Sequence, residues 1–455
     1  MTIKEYVAGN TPRFLEELSA FLRIPSISTL PERKADCAAC AEHLREELTR
    51  IGMKARVMPT PGHPVVYAED LSAGPDVPTS LFYGHYDVQP VDPVNLWTNP
   101  PFEPTQRGGK LYARGSADDK GQVHLHIKGI EALRAANGSL PCNVKVMIEG
   151  EEEIGSQHLE QFLRDNAKLL KCDTVLISDT AMFAQGMPSI TYALRGLAYF
   201  EVTVRSANSD LHSGMFGGVV DNPINVLCDM LAGLKDKYNR ITIPGFYDDA
   251  LPITDAERAQ FARLPFDEAA FCRSLGIPMT RGEFGYTALE QNWARPTLDI
   301  NGIWGGFTGE GAKTVLPALA HAKVSMRIVA NQTPEGIERL FTEHLMRIAP
   351  PTVRVEVAAL HGGPPALTPI EAPGNRAAQA ALRRAFEKEP VFIRDGASIP
   401  IVALFQNILS APVVMMGFGL PDENAHAPDE NLDLENYVCG VQASAFFYEE
   451  FAKNA

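Results

Sequence analysis

Four glutamates fall within five residues in EGEEEIGS, Glu149 to Ser156, directly behind the apolar run Val144, Val146, Met147 and Ile148. This is one of five places where an apolar stretch runs out into carboxylates or imidazoles. The others are His85 and Asp87 after SLFYG, Asp118 and Asp119 in ARGSADDKG, Asp179 after TVLIS, and His426 in NAHAPDEN after VVMMGFG. Taken singly, each has an ordinary explanation. The glutamate cluster reads as a solvated turn, His85 and His426 as loop histidines, and DDKG and Asp179 as helix caps, a position Asp favours. Gathered on one rim, they would be two imidazoles and at least three carboxylates whose charges repel, and a bound cation relieves that repulsion. Histidine with carboxylate oxygens and no thiolate suits Zn²⁺, Mn²⁺ or Co²⁺. Five ligands exceed the need of one open tetrahedral site. They suit two ions sharing a bridging carboxylate, about 3.5 to 4 Å apart, and such pairs carry out hydrolysis.

These residues can meet only if the chain brings the ends of its apolar runs to one side. Helical spacing marks residues 11 to 22 and 35 to 51, and strand patterns follow in KARVMP, PVVYAED and TSLFYGHYDV. After Gly115 come a helix in DDKGQVHLHIKGIEALRAAN, the strand NVKVMIEG, a helix near 156 to 170 and the strand DTVLISD. Strands alternating with helices predict an α/β fold, a mostly parallel sheet flanked by helices. In open sheets of this kind ligands bind beyond the carboxyl ends of the strands. The style changes near residue 190: ITYALRGLAYFEVTVRS alternates and reads as an antiparallel strand pair with one solvated face, and AHAKVSMRIVA, followed by a helix, matches it. The α/β style returns after about 365 with GNRAAQAALRRAFEKEP and APVVMMGFG. The expectation is a discontinuous catalytic domain, 1–189 and 365–455, with an inserted α+β lid and dimerisation domain at 190–364.

The 455 residues are too many for one ordinary core. A formal charge of −15 argues against nucleic acid, whose binding needs clustered Lys and Arg. No run of about 20 apolar residues suggests a membrane span, and Phe14, Leu15, Leu18, Phe21 and Leu22 have helical spacing rather than the pattern of a signal peptide. A cytoplasmic protein is expected, with its seven scattered cysteines as reduced, mostly buried thiols. Cys37 and Cys40 form CxxC with His43 nearby, but no second CxxC completes a zinc site. His124 and His126, two residues apart on a helix, do not share a face and read as structural.

The ordered set GHYDVQP, ARGSADDKG, EEIGS, SD and NAHAPDEN resembles the dinuclear-metal peptidases that include carnosinases, cytosolic non-specific dipeptidases, bacterial glutamate carboxypeptidases, aminoacylases and succinyl-diaminopimelate desuccinylases. The resemblance covers nearly the whole chain. It implies that His85, Asp118 and Asp179 hold one metal and that Asp118, Glu153 and His426 hold the other, so that Asp118 is the bridge. It implies a cis peptide after Asp118, and Asp87 as the carboxylate that fixes the His85 tautomer. Glu152 aligns with the general base and Glu153 with the metal ligand, leaving Glu149 and Glu151 over as solvated residues. The cofactor implied is two divalent ions per chain, Zn²⁺ first, with Mn²⁺ or Co²⁺ as alternatives.

The inserted domain carries further motifs of that family. SDLHSGMFGG resembles its lid motif, which implies that His212 stabilises the oxyanion and reaches the active site from a partner subunit. DINGIWGGFTGEGAKTVLPALAHAKVSMRIV resembles the dipeptidase branch, with Thr314 as a lid contact across a homodimer and Arg327 as binder of a substrate carboxylate. HGGPPAL around His361 and GASIPI around Ser398 look like substrate-contacting loops. The chain departs from close carnosinase relatives at Pro364 and Pro365, where they tend to carry a Lys and an aromatic, and at Ala397, where a second Gly is common. The expected activity is hydrolysis of the amide bond of dipeptides, or removal of a C-terminal residue, with small peptides as substrates. The alternatives are an N-acyl amino acid deacylase or desuccinylase, and a silent metal-binding relative.

Overall fold

A computed structural model describes residues 1–454. By packing, the chain divides into two units, the first made of Met1–Tyr192, Thr368–Ile393 and the chain from Leu404 onward, the second of Ala193–Leu367 and Arg394–Ala403. The segment 394–403 thus differs from its expected place in the catalytic domain. Its contacts explain why: Arg394 pairs with Glu257, the Gly396 carbonyl accepts from Arg195, and Ser398 meets Arg327.

The first unit is organised on the strand Thr79–His85, whose last six residues are all buried. A strand buried on both faces belongs at the centre of a helix-covered parallel sheet. It runs parallel to Asn143–Glu149 on one side and to Thr174–Ile177 on the other, and the latter runs parallel to Val413–Met415. Antiparallel strands flank this centre. Val65–Asp70 and Lys54–Met58 follow beyond Asn143–Glu149, and Ser189–Leu194 pairs with Val413–Met415 through Met415 and Thr191. The sheet is therefore parallel at its four central strands and antiparallel at the margins. His85 stands directly opposite Glu149 in the register, so the two strands that feed the site end level.

Helix Lys120–Asn137 lies against helix Leu434–Asn454, which also carries Pro373–Phe386. It stops at Gly138, whose φ of 77° is the left-handed conformation that ends helices. His124 and His126 are buried on it. His124 Nδ1 is 2.7 Å from the Tyr437 hydroxyl, and His126 sits between Ser444 and Ser178 at 2.9 and 2.6 Å. Burial pushes His126 down to about 3, so it is neutral. Cys37 and Cys40 are buried packing residues of helix Lys34–Arg50; Cys142 and Cys272 are buried as well, whereas Cys172 and Cys439 are half-buried and Cys228 is exposed. The helix expected near 156 to 170 is two short ones, Leu159–Asp165 and Ala167–Leu170, separated by Asn166.

The second unit is a four-stranded antiparallel sheet in the order Asp299–Gly305, Leu319–Ile328, Gly196–Arg205, Arg354–Gly363. Ala320, Ala322, Val324, Met326 and Ile328 alternate into its core, joined by Phe341 and Leu345 of helix Pro334–Ile348. The stretch expected to be one strand pair, 190 to 206, divides at Arg195. Ser189–Leu194 is buried throughout, whereas Gly196–Arg205 alternates buried and part-exposed positions, so the two halves enter different sheets.

Candidate metal centre

His85 ends the central strand with no exposure. Its Nδ1 is 3.1 Å from the Asp87 carbonyl and 3.4 Å from the Asp87 carboxylate, and its Nε2 faces Asp118 and Asp179. Gly84, just before it, leaves room for Asp119: a Cβ there would lie 2.9 Å from the Asp119 carboxylate. That carboxylate accepts the His85 backbone N–H at 3.2 Å and makes no side-chain cap for the helix behind it, so DDKG is not merely a capping turn. The Asp118–Asp119 peptide is cis. Asp118 does not end a strand of the main sheet. It lies between Lys110–Tyr112, in a small three-stranded sheet, and the helix Lys120–Asn137.

The two oxygens of Asp118 face different imidazoles. Oδ1 is 3.0 Å from His85 Nε2, and Oδ2 is 2.7 Å from His426 Nε2. Asp179 Oδ2 lies 3.7 Å from His85 Nε2, and Glu153 Oε2 lies 3.3 Å from His426 Nε2. Ligand atoms of His85, Glu152 and Asp179 lie within 4.8 Å of one another, and so do those of Asp118, Glu153 and His426. Adjacent glutamates thus belong to different groups. The loop that separates them is held by Asp87, whose carboxylate accepts the backbone N–H groups of Glu152 and Glu153 at 3.2 and 3.1 Å. One carboxylate therefore sets both the His85 ring and the start of the glutamate turn. Gln89, in the same GHYDVQP motif, donates to Glu153 Oε2 at 2.7 Å, a contact sequence reasoning missed.

Glu149 and Glu151 are not solvated. Glu149 is buried and accepts from Tyr83 at 2.5 Å and Ser156 at 2.9 Å, and Glu151 accepts from the His63 backbone at 3.1 Å and pairs with His158 at 2.8 Å. Both lie beneath the turn and brace it. Strand register puts Glu149 inside the sheet, and hydrogen-bond partners from distant segments offset the cost of burial. A period-two reading of one strand cannot see those partners.

The electrostatics describe a cluster short of positive charge. Burial, reinforced by Asp118, raises Asp179 to about 7, and burial, reinforced by Asp179 and Asp118, raises Glu152 to about 8. Hydrogen bonds to Asp118 and Glu153 raise His426 to about 10, and Asp118 itself, although buried, is held low by the two imidazoles. For His85, burial works against the proton, but Asp118 and Asp87 outweigh it and the ring is raised well above its ordinary range. Nitrogen and oxygen donors in two adjoining groups, sharing one carboxylate, fit two divalent cations. His85 is closed off and His426 half exposed, so the centre opens on the His426 side.

The chain matches the model of Peptidase family M20/M25/M40 over residues 81–450. It belongs to that family. The human Beta-Ala-His dipeptidase is 33% identical over 99% of this chain and 90% of that protein, and the Schizosaccharomyces pombe Cys-Gly metallodipeptidase dug1 is 31% identical over 98% and 97%. Among solved structures, the M20 family metallo-carboxypeptidase Sso-CP2 from Sulfolobus solfataricus is 33% identical with a TM-score of 0.82, covering 97% of this chain and 99% of that one. The mixed α/β fold with its parallel central sheet is the fold of this family, and this M20 member is a metallopeptidase. No helix among the described residues is long and apolar enough to cross a membrane.

The remaining predicted site residues, His212, Thr314, Arg327, His361 and Ser398, lie in the second unit. His212 is on the two-residue strand Leu211–His212, paired with Val315–Leu316, and Ser213 N–H donates to the Thr314 carbonyl at 3.1 Å. His212 is exposed, and its Nδ1 accepts from the Gly214 N–H at 3.0 Å. Arg327 is half-buried on the open face of the four-stranded sheet and donates to Ser398 at 2.7 Å. His361 packs edge-on against Tyr199, with ring centroids 5.0 Å apart.

Proposed function

We propose that this M20 member is a metal-dependent dipeptidase with a dinuclear centre bridged by Asp118, with Zn²⁺ as the first-choice ion and Mn²⁺ or Co²⁺ as alternatives. The observation that carries this reading is the Asp118 carboxylate, with one oxygen on each imidazole and Glu152 and Glu153 divided between the two groups. Two relatives named for dipeptides, each covered almost end to end, support the substrate class. His85 and Asp179 would hold one ion, Glu153 and His426 the other. What a divalent pair supplies when bound is Lewis acidity toward a water and the scissile carbonyl. Glu152 takes the water's proton and delivers it to the leaving amine nitrogen, and Asp87 keeps the His85 ring and the Glu152 turn in register. A cytoplasmic setting is supported by seven cysteines that are all free thiols.

Arg327 clamps the substrate's α-carboxylate, with its guanidinium oriented by Ser398; Thr314 and His361 add contacts to the substrate. A bidentate, charge-assisted contact contributes about 1.5 to 3 kcal/mol. Free dipeptides are therefore expected to exceed their C-terminal amides in kcat/KM by roughly 10- to 100-fold. In Arg327→Ala the two substrates should converge, and Arg327→Lys should resemble Ala because a point charge lacks the fork. Equal wild-type rates on a dipeptide and its amide would overturn the clamp and favour an amidohydrolase.

The working form is a homodimer in which His212 acts at the partner's centre. Support comes from the edge strand Asp299–Gly305, which exposes Ile300, Ile303 and Trp304, with Met215 and Val219 exposed in the His212 segment. An unpaired, apolar sheet edge is a surface that natural proteins cover. His212→Ala and Glu152→Gln proteins, each inactive alone, should regain part of the activity after subunit exchange. No rescue with exchange verified would assign His212 to its own chain.

A further inference from the structure

NAHAPDEN supplies His426 and, four residues on, a second acid that takes no part in either ligand group. Glu430 is fully buried. Its carboxylate accepts four hydrogen bonds from one loop: Oε2 from Arg114 Nη1 at 2.7 Å and Gly115 N–H at 3.0 Å, Oε1 from Ala117 N–H at 3.0 Å and Asp118 N–H at 3.1 Å. Its own carbonyl accepts from the Ala113 N–H at 3.1 Å. The far arm of Arg114 reaches the Pro90 carbonyl at 3.0 Å, just beyond the GHYDVQ segment that bears His85 and Gln89. Next to Glu430, the strand Asn431–Asp433 pairs with Lys110–Tyr112. The segment carrying His426 and the loop carrying Asp118 are thus joined through one side chain.

A buried carboxylate whose partners are a guanidinium and three consecutive-loop N–H groups is strongly oriented, because each oxygen's lone pairs are taken. We infer that Glu430 is a positioning residue: it sets the backbone of Asp118, so that one Asp118 oxygen meets each imidazole. The inference rests on Asp118 as the bridge and adds what holds the bridge in place. Glu430 touches neither substrate nor the ligand atoms. Its removal acts through the placement of Asp118, and partners of this kind typically contribute about 10- to 100-fold in metal affinity or activity.

Glu430→Gln is nearly isosteric, but an amide offers one acceptor atom. With its oxygen toward Arg114, its NH₂ faces the N–H groups of Ala117 and Asp118, donor against donor, at the bridge itself. Metal-stripped wild type and Glu430→Gln would be titrated with Zn²⁺ alone by calorimetry, alongside circular dichroism, metal-free Tm and turnover at rising Zn²⁺. Glu430→Gln should keep the wild-type fold, bind Zn²⁺ at least about 10-fold more weakly and recover turnover as Zn²⁺ rises. Wild-type Zn²⁺ affinity and turnover in Glu430→Gln, with wild type binding two ions, would overturn the positioning role and leave the dinuclear reading intact. A wild type that binds one ion would instead overturn the dinuclear reading. Should Glu430→Gln fail to fold, Glu430→Asp keeps the charge opposite Arg114 but is one methylene too short to span both arms. It is then held to the same result: weaker Zn²⁺ binding supports the inference, and unchanged binding overturns it.

Discussion

Glu152→Gln is expected to lower kcat on dipeptides by about 10²- to 10⁴-fold, the usual contribution of a general base, while the protein still binds two divalent ions. That corresponds to roughly 2.7 to 5.5 kcal/mol of transition-state stabilisation. The expectation follows from what surrounds the carboxylate. Glu152 sits with His85, Asp179, Asp118 and Glu153 as its charged neighbours, and burial leads those that raise it to about 8. Glutamine keeps the shape and cannot accept the proton. Glu153→Gln changes a group that Gln89 already orients toward His426, so there the expected loss is in ion affinity. Elemental analysis and steady-state kinetics on both variants separate the two roles. Near-normal turnover in Glu152→Gln would remove it from the mechanism.

Asp118→Ala should bring the ion content from two per chain to none and abolish hydrolysis. It removes the one carboxylate that faces both imidazoles. Loss of a ligand confined to one site, as in Asp179→Ala, should leave the other ion bound more tightly than in Asp118→Ala. Elemental analysis after dialysis against trace metal, with circular dichroism to verify the fold, checks this. Two ions retained by Asp118→Ala would mean that the groups do not share a ligand.

Much of the α/β unit was legible along the chain. Apolar runs such as SLFYG and VKVMI are local signals of strands buried on both faces, and polar residues at their carboxyl ends mark a sheet edge. His85, Asp118, Glu153, Asp179 and His426 stand out as candidates along the chain because residue type and motif order are properties of sequence. The break at Arg195 was not legible, because alternation looks alike whichever sheet a strand joins. It is the all-buried pattern of Ser189–Leu194 beside the alternating one of Gly196–Arg205 that separates them.

What the sequence by itself determined is a set of candidate donors, two imidazoles and three carboxylates without a thiolate, the types that suit a divalent cation. Tertiary structure alone decided which glutamates of EGEEE join the two imidazoles. Glu149 and Glu151 turn inward because Tyr83, Ser156, His63 and His158, drawn from other segments, satisfy them there, while Asp87 holds the N–H groups of Glu152 and Glu153. It also decided that Glu430 holds the Asp118 loop from more than 300 positions away. A charge can be buried only where partners meet it, and those partners become neighbours only when the chain has folded.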